Sequence, residues 1–409
     1  MSIFNKPAYA ITKEDIQELK DNDEAESKIL DYKLQVNKQN DGDKGDFLED
    51  ICAFANAEGG FIVVGIEDRK EDGKATGKPG RIMPLPVNSD LEKRRLDQMI
   101  LDNTEQKVQT HIQPVEMEDG KYVFVVRIPK SSAAPHAVKS DKARIFWMRH
   151  NGGKHPMDVF ELRSAFQRSG AALYQAREFR NHRLQQLYSG RILIDPITMN
   201  GPHTALHIIP AGAFETSTLL DLSLLDDRKE QNHKLIDLLR FTKGTLQPSF
   251  NFDGWLGRVI MQLDLRPSSI RTSYVQLFRN GCLEGLSNGL ISSEPKMFLG
   301  ELFEENLLTI LKRLIEALKI MDVVPPLFIA VSIIGIHDFS FGYHGNYQGK
   351  FKTDPLEFPE VSLNAFDEEL SDVMKPIFDT LANAAGFPYS ESYIQQPATG
   401  RWRHISQIK

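Results

Sequence analysis

The chain has 409 residues, 41% hydrophobic and 26% charged, a balance that fits a globular protein of two or three domains rather than a disordered or fibrous one. No apolar run approaches a membrane span, and the N-terminus lacks a basic-then-apolar leader. The only cysteines, Cys52 and Cys282, exclude a cysteine-ligated zinc finger, so the expectation is a cytoplasmic protein with reduced thiols.

The periodicity predicts a short amphipathic helix over 10–21 and an alternating strand over 29–35. A helix follows over 45–57, with Phe47, Ile51, Phe54 and Ala55 on one face. It stops at Glu58-Gly59-Gly60, where glycine permits a left-handed end, and a β-branched strand runs from Phe61 to Asp68. Residues 70–81 are polar and glycine-rich, a hairpin or loop. A helix over 89–103 comes next, then strands at 108–117 and 122–129 joined across Glu118-Asp119-Gly120. A further strand from Arg144 ends in the turn signal Asn151-Gly152. A long helix spans about Met157 to Tyr188. Beyond it the pattern predicts strands at 204–211, 258–264, 273–280 and 327–336, and helices at 229–241, 299–321 and 364–386.

The fold class is therefore α+β. The predicted organisation is a helical lead-in (1–23), a mixed-sheet domain (24–156), a connecting helix (157–190) and a second α+β domain (191–409).

Chemistry concentrates near the N-terminus. Glu26 and Asp31 lie five residues apart and Lys33 follows; on a strand, Asp31 and Lys33 share one face. Asp68, next to Glu67, ends the second strand. If the two strands are neighbours, Glu26, Asp31 and Asp68 converge into an oxygen-rich set suited to Mg²⁺ or Mn²⁺, with Lys33 offsetting charge on a phosphate. Solvated strand-end carboxylates are the plain alternative.

The net charge of −7 hides an asymmetry. Lys121 to Arg191 holds fourteen Lys and Arg against four acids, so this segment carries +10 and the rest of the chain −17. Within it Arg127, Lys130, Lys139, Lys142, Arg144 and Arg149 are interleaved with Tyr122, Phe146 and Trp147, a pattern suited to phosphate contacts and base stacking. The alternative is a solvated basic edge around an aromatic core.

These residues carry a resemblance. E-S-x-x-L-D-Y-K, then A-F-A-N-A-E-G-G-F-I-V-V-G-I-E-D, then Pro135-His136 and Phe146-Trp-Met-Arg149-His-Asn-Gly152 resemble the Schlafen AlbA-like domain over roughly residues 24–165. The resemblance implies binding of DNA or RNA, in many relatives as DNA-binding regulators. In some Schlafen proteins it implies metal-dependent RNA cleavage by three acids, which map onto Glu26, Asp31 and Asp68. The family has glutamate where Asp31 stands, and Glu67 competes with Asp68 for the third place. A zinc site and a duplicated lobe of the eukaryotic nucleases are not evident, so a nuclease would need a homodimer or higher oligomer. Stress or phage defence is the setting such a nuclease implies.

Independently of the family, Ala53, Phe54 and Ala55 read as helix-to-sheet packing, Asn56 as a cap, and Gly59-Gly60 as the reversal into the strand. Gly73 to Pro79 mimics a phosphate loop but lacks its spacing and its Ser/Thr, so ATP is not expected. His203 and His207 fall on one strand face without visible acidic support, Ile336-His337-Asp338 is a weak metal pair, and Arg401 to His404 is a second basic contact candidate.

Overall fold

The computed structural model describes residues 3–5, 10–36, 41–139, 144–151, 153–189, 201–215, 219–262, 270–292, 295–395 and 402–407. It divides into two compact units, residues 1–171 and 172–409, each mixing helices and sheet.

In the first unit the elements are α1 (Lys13–Asp21), β1 (Leu30–Lys33), α2 (Asp41–Asn56), β2 (Gly59–Val64), β3 (Ile66–Glu71), β4 (Lys74–Ile82), α3 (Ser89–Asn103), β5 (Thr104–Glu105), β6 (His111–Glu118), β7 (Lys121–Pro129), β8 (Ala137–Val138), β9 (Trp147–His150), β10 (Gly153–Pro156) and the start of α4 (Val159–Tyr188). Strand order β1-β2-β7-β6 forms the main sheet, with β1 and β2 parallel and the other pairs antiparallel. Alternation sorts its side chains onto two cores. Ile62, Val64, Phe124 and Val126 pack with Phe47, Ile51 and Phe54 of α2 and Leu96 and Ile100 of α3. Phe61, Val63, Val123 and Val125 pack with Ile16 and Leu19 of α1 and with Leu30 and Tyr32.

The α2–β2 reversal shows why the glycines stand there. Gly59 has φ +75°, and a Cβ on it would lie 2.6 Å from the Lys130 nitrogen; one on Gly60 would lie 2.5 Å from the Phe54 ring. Asn56 is a buried clamp rather than a simple cap. Its amide donates to the carbonyls of His136 (2.8 Å) and Trp147 (2.9 Å), and its oxygen accepts the His136 N–H at 2.6 Å.

In the second unit, after the rest of α4, come β11 (His203–Pro210), α5 (His233–Leu238), β12 (Thr245–Phe250), β13 (Gly254–Gln262), β14 (Ile270–Phe278), β15 (Leu283–Ser287), β16 (Met297–Leu299), α6 (Gly300–Ile320), β17 (Leu327–Ile334), β18 (Ser340–Tyr343), β19 (Asn346–Lys350), β20 (Leu356–Glu357), β21 (Val361–Leu363), α7 (Leu370–Ala384), β22 (Tyr393–Gln395) and β23 (Trp402–His404). An eight-stranded sheet runs β12-β13-β14-β15-β11-β17-β20, with β21 also on β17. Leu206 and Ile208 on one face join the core formed with α6 and α7; Ala205 and Ile209 on the other meet Leu184, Leu187, Ala172 and Ala176 of α4.

Several local expectations change. The run from Phe61 to Asp68 is two strands, not one: Gly65, at φ +109°, breaks it, and Asp68 belongs to the β3–β4 hairpin. The helix expected over 229–241 shortens to α5, because the Asn232 amide donates to the carbonyls of Ser223 and Asp226 and ties its approach into a turn. Strand β12 was missed; Pro248 within it lacks an N–H, which an edge strand tolerates. The polar, glycine-rich stretch over 70–81 is a hairpin, as expected, with Gly73 to Pro79 supplying its turn and much of its second strand.

Candidate carboxylate cluster and nucleic-acid interface

The parallel pairing of β1 with β2 places the end of β1 beside α2, where acids spaced i, i+4 along the helix meet the lysine. Asp31 and Lys33 share a face as alternation requires, with Lys33 Nζ 3.1 Å from the Asp31 carboxylate. The same ammonium lies 2.5 Å from Asp46 and 2.7 Å from Asp50. Burial opposes its charge, but Asp50 and Asp31 outweigh burial and hold its pKa above the ordinary lysine range. Lys33 is thus enclosed by three carboxylates, and its expected role opposite a phosphate is not the one its contacts support.

Arg149 is corrected most sharply. It was expected at the surface as a phosphate contact, yet it is 6% exposed. Its guanidinium donates to Asp31 (2.9 Å), Asp50 (3.2 Å) and the carbonyls of Ser27 and Leu30 (3.2 Å each), and lies 4.4 Å over the Phe54 ring. On the facing position of β10, Lys154 contacts Asp46 (2.7 Å), Glu49 (3.0 Å) and Asp50 (3.4 Å). Arg149, Lys33 and Lys154 against Asp31, Asp46 and Asp50 form one nearly closed ion network that pins the β9–β10 hairpin to α2 and β1. Burial first, then the neighbouring Asp31 charge, pushes the Asp50 carboxyl upward.

Glu26 and Asp68 meet on the other side of Asp31, across Gly77 of the β3–β4 hairpin. The Glu26 N–H donates to the Gly77 carbonyl at 2.6 Å, and the Gly77 N–H donates to Asp68 Oδ1 at 3.1 Å. Gly77 has φ +66°, a left-handed conformation that favours glycine at this turn. Glu26 accepts the Tyr32 N–H at 3.2 Å. Burial raises its pKa to about 7, and the charges of Asp31 and Asp68 push the same way. Of the neighbours Glu67 and Asp68, it is Asp68 that turns toward Glu26; Glu67 pairs with Arg81 at 3.3 Å. The set is all oxygen, as Mg²⁺ or Mn²⁺ requires. Its geometry is uneven, because Asp31 is committed to Arg149 and Lys33 and the three carboxylates do not all come within 4.8 Å of one another. Glu26 and Asp68 are the part of the set that lacks a cation partner of its own among these contacts, and Glu26's crowding is the charge that a divalent ion would relieve.

The expected basic patch is dispersed. Arg144 is largely exposed and pairs with Glu105. Lys139 donates to the Asp102 carbonyl at 2.9 Å, and Lys130 lies 3.7 Å from Glu58. Arg127 sits half-buried on β7, opposite His111 and Phe61. Lys142 lies outside the described residues. More concentrated exposed cations stand on the hairpin: Lys70 and Arg81 line a shallow cleft of about 400 Å³ together with Glu67, Asp68, Arg69 and Gly80, and Lys74 and Lys78 are exposed on the same hairpin. The composition count missed this group because Glu67, Asp68, Glu71 and Asp72 cancel it in the sequence.

Outside this region, His207 has the acidic partner that the sequence hid. Its register partner on β15 is Glu284, whose carboxylate lies 3.0 Å from His207 Nε2 and also accepts from Arg183 and Tyr274. His203 Nδ1 lies 3.0 Å from the Gly201 carbonyl, and His337 and Asp338 are an exposed pair 3.2 Å apart. In the basic tail, Arg401 lies outside the described residues, His404 is buried beside Glu304 and Tyr393, and Arg403 lines a cavity of about 680 Å³ with Glu305, Lys312, Glu369 and Asp372. No helix among the described residues is long and apolar enough to cross a membrane.

A solved domain, the N-terminal domain of a DNA helicase RecG-related protein from Nitrosomonas europaea, is similar at 20% identity and a TM-score of 0.27, covering 36% of this chain and 94% of that one. No curated protein matches. The model of the family described as Schlafen, AlbA_2 matches residues 26–158, the span from the first acid of the cluster to the end of the β9–β10 hairpin. The N-terminal third of this chain is therefore a Schlafen AlbA-like domain.

Proposed function

We propose that residues 26–158 bind nucleic acid, with the phosphate backbone entering the cleft beside the β3–β4 hairpin. The observation that carries this reading is the hairpin itself, where Lys70 and Arg81 line a cleft with Asp68 and Lys74 and Lys78 are exposed on the same two strands. Exposed cations on one short element neutralise phosphates without the desolvation cost that Arg149 would meet. The Schlafen AlbA_2 match, a family that suggests nucleic-acid binding, points the same way.

The test is fluorescence anisotropy with single-stranded RNA, stem-loop RNA and duplex DNA over a range of salt. The expected result for Lys70→Glu with Arg81→Glu is at least a tenfold weaker Kd, with the slope of log K against log salt reduced by about two. An unchanged Kd removes the hairpin from the interface. Preference for duplex DNA would favour a regulator over an RNA-directed protein.

The crowding of Glu26 by Asp31 and Asp68 favours a second reading, cleavage of structured RNA at this same place. Glu26 and Asp68 would hold Mg²⁺ or Mn²⁺, which when bound supplies Lewis-acid charge and an activated water. The chain's own contribution is then the Gly77 turn, which keeps both carboxylates aimed at one space. Cleavage that disappears in Glu26→Gln and Asp68→Asn while RNA binding persists supports this reading. No product with either metal leaves binding alone. A single lobe of this kind would complete its groove with a second copy, so product formation is expected to rise faster than linearly with protein concentration.

A further inference from the structure

The β9–β10 hairpin has two faces, and only one is used by the ion network. In its register, Gly153 pairs with His150, Lys154 with Arg149 and His155 with Met148. Alternation puts Arg149 and Lys154 on the side facing α2 and puts His150 and His155 together on the other. The two imidazoles are stacked, with centroids 4.2 Å apart and planes at 5°, so His150 reaches an ion lying in the plane of His155 by turning its exposed ring out of the stack. Glu161, in the first turn of α4, reaches the same point: both of its carboxylate oxygens lie 3.2 Å from His155 Nε2. One ligand atom from each of the three residues lies within 4.8 Å of the others, and among the described residues this is the group of three or more His, Cys, Asp or Glu that meets that condition.

We propose that His150, His155 and Glu161 form a binding site for one divalent cation of the zinc type, with a coordination position left over for water. Two imidazoles and a carboxylate are borderline-to-hard donors that suit Zn²⁺, unlike the all-oxygen Glu26–Asp68 set. The 3.2 Å spacing of His155 and Glu161 matches the edge of a zinc tetrahedron, about 3.3 Å for ligands near 2.05 Å.

The carboxylate is held in place before any ion arrives. The Asp158 N–H donates to Glu161 at 2.9 Å, and the Glu161 N–H donates to Asp158 at 2.8 Å, a reciprocal cap that fixes its aim. His155 presents Nε2 to the carboxylate, which makes Nε2 the ligating nitrogen. The sequence signal is His-x₄-His-x₅-Glu, which becomes a cluster only because antiparallel pairing of β9 with β10 folds the first histidine back onto the second.

The test uses the full-length chain without a histidine tag, stripped with chelator and titrated with Zn²⁺ by calorimetry. The expected result is one equivalent bound with a Kd in the micromolar range or tighter. His150→Ala and His155→Ala are each expected to weaken it at least tenfold, and Glu161→Gln, which keeps the cap, to weaken it less. Because His150 is exposed, its replacement is expected to leave the fold intact and carries the test even if His155→Ala unfolds. Glu26→Gln separates this site from the carboxylate cluster and is expected to leave the zinc stoichiometry unchanged. Substitution with Co²⁺ is expected to produce visible absorption that His150→Ala abolishes. No saturable Zn²⁺ uptake, or equal affinity in the wild type and His150→Ala, overturns the site and leaves a stacked histidine pair with a hydrogen-bonded glutamate.

Discussion

Replacing Arg149 with alanine separates a structural cation from a phosphate contact. In the fold its guanidinium neutralises two carboxylates, Asp31 and Asp50, which are 5% and 3% exposed, and satisfies the carbonyls of Ser27 and Leu30. Lys33 and Lys154 still contact Asp50 after the change, but Asp31 keeps only Lys33. Removing one partner of a buried pair costs about 3–5 kcal/mol, and loss of the guanidinium donor to the Ser27 carbonyl keeps the figure in the upper part of that range, while the Leu30 carbonyl keeps the Ser27 N–H. That is a large share of a domain stability of about 5–15 kcal/mol. The assay is amide hydrogen exchange across 41–56 and 147–156, which reads local opening without assuming that both units unfold together. At 4 kcal/mol the opening equilibrium rises roughly a thousandfold. Nucleic-acid affinity measured in parallel should fall only as folded protein is lost, with its salt slope unchanged. A variant with native exchange rates, and a salt slope lower by about one, would refute the reasoning and return Arg149 to the interface.

Three other outcomes follow from the same contacts. Glu284→Ala strands Arg183 and His207 in the second unit and is expected to cost about 3–5 kcal/mol, seen as faster exchange in β11 and β15; native exchange there would mean that the hub contributes little. His136 is buried and bonded to the Gln106 carbonyl (2.6 Å) and Ser131 Oγ (2.7 Å), and burial lowers its pKa to about 4 from the ordinary histidine value of 6.5. The unfolded chain therefore binds the extra proton first, and stability is lost as pH falls from 6.5 toward 4, by on the order of 3 kcal/mol. His136→Gln should flatten that part of a urea-midpoint profile, and an identical profile would dismiss the assignment. Glu26 has the opposite sign: with its pKa raised from about 4.5 to about 7, the folded state keeps a proton that the unfolded chain has released, so stability is lost as pH rises from 4.5 to 7 and stays at the lower level above that. Glu26→Gln is expected to raise the melting temperature at pH 8 and leave it unchanged at pH 5. A loss of stability at pH 8 would contradict the crowding of acids on which the cleavage reading rests.

The sequence by itself determined the elements whose signals are local. The apolar face of α2, the Gly59-Gly60 reversal, the β1 face shared by Asp31 and Lys33, and the long α4 all follow from spacing within a few residues, because side-chain period and glycine geometry act over that range. The Schlafen AlbA-like character was legible for the same reason, its motif being a contiguous helix–turn–strand.

Which charges meet was decided only by tertiary structure. Arg149 reads as one more cation in a basic stretch until the β9–β10 hairpin folds onto α2 and buries it against Asp31 and Asp50, some hundred residues earlier in the chain. Glu284 becomes the partner of His207 through strand register, and His150 meets Glu161 through a turn and a helix cap. Pairing energies depend on distance and desolvation, and neither is a property of sequence neighbours.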